Sequence, residues 1–97
     1  MTSLWKGIDV TAIQGKSVEI DNGAILRGLI LKVVAHEEHT IFVISNVSRL
    51  IIRPGHSQWV LIDQPTVEIR VTVEPRRYCE QILFFNDDSF DLIRIYL

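Results

Sequence analysis

Hydrophobic and polar positions alternate along most of this chain. The clearest case is TVEIRVTVE, where Val67, Ile69, Val71 and Val73 fall on one side and Thr66, Glu68, Arg70, Thr72 and Glu74 on the other. A period of two in β-branched residues predicts a strand with one buried and one wet face. No segment shows a convincing helical period. Turn residues cut the rest into short pieces. Asp21-Asn22-Gly23 follows SVEI, Ser45-Asn46 follows TIFVI, and Pro54-Gly55 separates RLII from SQWVLI. Asp63-Gln64-Pro65 ends that strand, Pro75-Arg76-Arg77 precedes YCEQILFF, and Asn86-Asp87-Asp88-Ser89 joins it to FDLIRIYL. Asn-Gly and Pro-Gly supply the backbone angles that tight turns need. With LWKGIDVTAI counted as a strand, about eight or nine short strands follow at a spacing of roughly ten residues. The expected fold is all-β: a two-sheet antiparallel β-sandwich, jelly-roll or immunoglobulin-like in outline. A small β-barrel is the alternative.

Two runs depart from clean alternation. ILRGLILKVV is apolar on both sides apart from Arg27 and Lys32, and ILFF is a second such run. A strand apolar on both faces is covered on both, here by the second sheet and by another copy or another protein. The composition agrees, because 47% of the 97 residues are hydrophobic and only 23% charged, and surplus apolar surface finds cover in an interface. A homo-oligomer with a protein partner is therefore expected. Residues 1–97 make one domain, with residues 1–6 as an N-terminal arm whose Leu4 and Trp5 are natural anchors. Trp59, inside SQWVLI, is expected in the core.

Charge and targeting narrow the class. The net charge is −2 and the basic residues are scattered, which argues against a nucleic-acid partner. No apolar run approaches the roughly 20 residues of a membrane helix. The opening MTSLWKGIDV lacks the pattern of a secretory signal, so Asn46-Val47-Ser48 is a chance match to the glycosylation motif. Synthesis in the cytoplasm, with no membrane attachment, is the expectation. Cys79 is the sole cysteine, which excludes an internal disulfide.

The one stretch that suggests chemistry is His36-Glu37-Glu38-His39. Two imidazoles and two carboxylates invite a metal, with His56 as a third ligand. A zinc site needs three or four organised ligands, and His56 belongs to a separate turn. The expected reading is the solvated end of a hairpin, with no metal and no cofactor. Cys79 is read as a small buried hydrophobe rather than a nucleophile. No phosphate loop, nucleophile elbow or paired-carboxylate spacing is present, so no catalytic residue is assigned and an enzyme is not expected. Arg76-Arg77-Tyr78 places two guanidinium groups and a phenol at one exposed sheet end, residue types that recur at interface hot spots.

SNVSRLIIRPGHSQWVLIDQ has a polar loop, a short apolar strand, a Pro-Gly turn and a strand opening on small polar residues. In this it resembles the β-sandwich modules of phage virions, among them capsid decoration (cement) proteins and tail-associated domains. The resemblance implies a non-enzymatic structural or assembly protein, located in a virion and bound to a larger lattice such as the major capsid protein. A soluble inhibitor or adaptor, gripping one cellular protein through an edge strand or the basic turn, is the alternative.

Overall fold

The computed structural model describes residues 9–97. A short 3-10 helix (Val10–Ile13) leads into eight strands: β1 (Ser17–Asp21), β2 (Ile25–Ala35), β3 (Thr40–Arg53), β4 (His56–Leu61), β5 (Thr66–Val71), β6 (Arg76–Tyr78), β7 (Gln81–Asp87) and β8 (Phe90–Tyr96). All pairings are antiparallel. The strand order is β4-β3-β2-β1-β8-β7-β6, and β5 pairs with the first half of β3.

The all-β antiparallel expectation holds, and the two facing layers are halves of one continuous sheet folded over its own core. Phe42 of β3 and Phe84 of β7 are far apart in the strand order, yet their rings meet edge to face at 5.6 Å. That contact requires the sheet to curl. Alternating residues fill the space between the layers: Val18 and Ile20, Ile82 and Phe84, Ile93 and Ile95 are all buried. The curl is fastened at the far edge of β5. Asp87, at the end of β7, accepts hydrogen bonds from the Thr72 N–H at 3.2 Å and from the Thr72 hydroxyl. Ser89 donates to Asp87 at 3.0 Å and to the Arg70 carbonyl at 3.3 Å. Burial pushes the Asp87 carboxyl up, but these hydrogen bonds outweigh it and hold the group below its ordinary value.

Several sequence expectations are corrected. TIFVI and RLII are not separate strands but one strand of 14 residues. Asn46, expected in a loop, sits inside β3 in the left-handed region at φ 53°, where asparagine is tolerated. It forms a bulge, since the pairing steps from Leu29↔Ser45 to Arg27↔Ser48. The described part of LWKGIDVTAI is the Asp9-capped 3-10 helix rather than a strand. Pro75-Arg76-Arg77 is not simply a turn, because Arg76–Tyr78 form β6 against β7. Cys79 is not buried. It is exposed, at φ 50° in the tight connection to β7.

Candidate functional site

The bulge at Asn46 decides where the second half of β3 points. Before it, Phe42 and Ile44 face the core; after it, Val47 does. One inserted residue flips every later side chain, so Leu50 and Ile52 turn to the outer face of the sheet. β2 stops accompanying β3 at the pair Leu26↔Arg49. Beyond that point, among the described residues, β3 runs on with only β4 beside it, paired from Ser48↔Leu61 to Arg53↔His56. The result is a two-stranded arm. At about 3.3 Å per residue the 14 residues of β3 span most of the molecule's 49 Å long axis, which is twice the 25 and 24 Å of the others. Pro54 and Gly55, the latter at φ 71°, make the turn at the tip.

The register sorts the arm's side chains onto two unlike faces. Leu50 opposite Trp59, and Ser48 opposite Leu61, share the outer face with Ile52 and Ser57. The other face carries Arg49, Ile51, Arg53, His56, Gln58 and Val60. Ile52 is 72% exposed and Leu61 66% exposed. An isolated two-stranded ribbon is marginal in water, and this one presents apolar side chains to solvent. Its base is held by Arg27 of β2, whose guanidinium lies 4.0 Å from the centre of the Trp59 ring. Such a contact contributes about 0.5–1 kcal/mol at an exposed position. Trp59 is thus half-buried on the outer face, not in the core as its surroundings in the sequence suggested.

The apolar outer face extends beyond the arm. Leu29 and Leu31 of β2, expected to be covered on both sides, are 40% and 57% exposed. A row of paired residues crosses seven strands: Arg76, Leu83, Arg94, Glu19, Arg27, Ser48 and Leu61. It links the basic strand β6 to the base of the arm. Beside it, Tyr96 donates to Glu19 of the row at 3.4 Å and Arg94 of the row donates to the Tyr96 oxygen at 3.5 Å. A shallow cavity of about 480 Å³ lies here, lined by Ser17, Glu19, Arg27, Leu29, Ser48 and Tyr96 among others. Arg77 and Tyr78 are exposed on β6, and Arg76 stands 5.9 Å from the Phe85 ring. Leu4 and Trp5 lie outside the described residues.

His36 to His39 close the β2–β3 hairpin at the opposite end of β3 from the arm tip. The His36 N–H donates to the His39 carbonyl at 2.8 Å, and the two rings stack with centroids 4.5 Å apart. Desolvation, and then the nearby charges of Arg70 and His36, lower the His39 pKa. His56 is at the arm tip, 3.3 Å from the Gln58 side-chain oxygen. Among the described residues, no three His, Cys, Asp or Glu side chains gather to hold a metal, and no helix is long and apolar enough to cross a membrane.

Sequence reasoning missed Ile52, Leu61 and Arg53 as arm residues. A signal was available: LII fills both faces of a strand just before a Pro-Gly turn, and SQWVL after it carries no charge. No family model, curated protein or solved structure matches this chain.

Proposed function

We propose that this protein is a non-enzymatic structural or assembly protein that docks onto a larger protein surface through the β3–β4 arm, as a virion component of the capsid-decoration kind. The observation that supports this reading is the arm itself: a two-stranded ribbon with Ile52 and Leu61 held out to solvent. Exposed apolar surface on a defined element marks an interaction site. Leu29 and Leu31 on the same face of the sheet support association of more than one copy.

The test is copy number. Quantitative mass spectrometry of particles purified from cells that express the protein should find it in many copies per particle. The Ile52→Ser/Leu61→Ser variant should be lost from those particles while keeping its β circular-dichroism spectrum. Absence of the unaltered protein from all particles refutes the reading. That result favours a soluble inhibitor or adaptor, for which exposed Arg76, Arg77 and Tyr78 on the edge strand β6 provide the surface.

A further inference from the structure

We propose that the free edge of β4 takes an extended acidic segment of the partner protein as an added antiparallel strand. This rests on the reading of the arm as the docking element and names the chemistry that would fill it.

The three edge strands β4, β5 and β6 differ in their protection. Native edges are blunted by charge, proline, bulges or shortness. β6 has only three residues, two of them arginines, and Pro75 precedes it. The far edge of β5 is occupied near its end, where Asp87 binds the Thr72 N–H and Ser89 binds the Arg70 carbonyl. β4 has none of these devices. His56–Leu61 contains no Lys, Arg, Asp, Glu or Pro, and its register with β3 runs unbroken over six pairs. Among the described residues its only strand partner is β3. Backbone groups on its other side are therefore available for strand addition.

Charge selects the occupant. Residues 48–61 contain Arg49 and Arg53 and no carboxylate, a formal +2 within a chain of −2, which leaves −4 on the remaining residues. The two arginines share one face of the arm with His56, while Trp59 and Leu61 occupy the other. An added strand lies beside β4, so its side chains meet His56 directly. Arg49 and Arg53 stand one strand further in, about 9–10 Å from the added backbone at two strand spacings. An extended arginine and a glutamate together span that gap. The fitting segment alternates glutamate or aspartate on the arginine face with aliphatic residues beside Trp59 and Leu61. Of this chain's own edges, β6 is basic like the arm, β5 is fastened, and pairing β4 with β4 of a second copy would set the arginines of two arms on one face, so another protein supplies the strand. A short strand buries less than a stable interface needs, so its affinity alone is modest, and contacts elsewhere on the partner add to it.

The experiment uses the full chain labelled with nitrogen-15 and two blocked seven-residue peptides, one alternating glutamate with valine and one alternating lysine with valine. Titrated to about 1 mM, the glutamate peptide should shift the amide signals of residues 56–61 saturably. The lysine peptide should bind about ten-fold more weakly or worse, and Arg49→Glu/Arg53→Glu should reverse the preference. Three results overturn the inference: no response of the β4 amides to the glutamate peptide, equal response to both peptides, or the same shifts appearing on concentrating the protein alone. The last assigns the edge to a second copy. If peptide recognition fails while Ile52→Ser/Leu61→Ser still releases the protein from its particle, the acidic strand is wrong and the docking arm stands. If neither variant affects particle association, both fail.

Discussion

Gly28 offers a sharp test of how the bulge at Asn46 is packed. It lies in the middle of β2, and on propensity alone an alanine there should help, by about 0.5–1 kcal/mol, because glycine loses more backbone freedom on folding. Space decides otherwise. A Cβ at Gly28 would lie 2.7 Å from Ile44 Cγ2 and 2.7 Å from the Ser45 carbonyl oxygen, closer than real Cβ contacts come. One of these obstacles is backbone of the neighbouring strand, next to the bulge, and cannot rotate away. Forcing a methyl group into a packed site costs about 1–3 kcal/mol. The net effect of Gly28→Ala is thus a loss of about 1–2 kcal/mol. For a domain of this size each kcal/mol shifts Tm by roughly 4–8 °C, so Tm should fall by about 5–15 °C. Urea and thermal unfolding followed by circular dichroism measure this directly. Ile44→Ala removes one obstacle and, although costly alone at about 2–5 kcal/mol, should be less than additive with Gly28→Ala. A Gly28→Ala protein as stable as the parent, or more so, refutes the close approach of β2 and β3 at the bulge.

Asp87→Ala should cost about 1 kcal/mol, because it removes the acceptor of the Thr72 N–H and hydroxyl and one of the two acceptors of the Ser89 hydroxyl, at positions water can reach. The Asp87 pKa is lowered in the fold, so this stabilisation is complete above the unfolded carboxyl pKa of about 4 and disappears as pH falls through the folded value. The parent and Asp87→Ala should therefore converge in stability in acid, and a gap unchanged between neutral pH and about pH 2 contradicts the clasp. Ile52→Ser and Leu61→Ser should each alter stability by less than about 0.5 kcal/mol, and cooperative unfolding at much lower urea would show that these side chains are packed within the chain. His36→Ala and His39→Ala should leave particle association unchanged, and a loss on either substitution, restored by added zinc, would return attention to that loop. Deleting residues 1–6, with Leu4 and Trp5, should weaken assembly while preserving the β spectrum, and sedimentation of the truncated protein identical to the parent's would dismiss that anchor.

The sequence by itself determined the fold class. Alternation such as that of Val67, Ile69 and Val71 against Glu68 and Arg70 reports which side of a strand is wet, and that information is local. Pro54-Gly55 and Asn22-Gly23 mark turns for the same reason, since their backbone preferences do not depend on distant partners. It could not determine which halves of the chain share a layer. The meeting of Phe42 with Phe84, and of Thr72 with Asp87, depends on how the whole sheet curls. Nor could it place the arm. Trp59 reads as a core residue because apolar strand residues usually have a sheet to cover them, and nothing local marks Leu50, Ile52 or Leu61 beside it as facing water. Two tertiary facts put them outside. The bulge at Asn46 reversed the facing of β3, and β2 begins at Ile25, too late to accompany β3 to Arg53. Cys79 was displaced in the same way: the usual burial of cysteine suggested a place in the core, but a left-handed turn placed it in solvent. Side-chain periodicity survives in a linear sequence, whereas bulges and strand lengths set the face and the cover only when the neighbouring strands are in place.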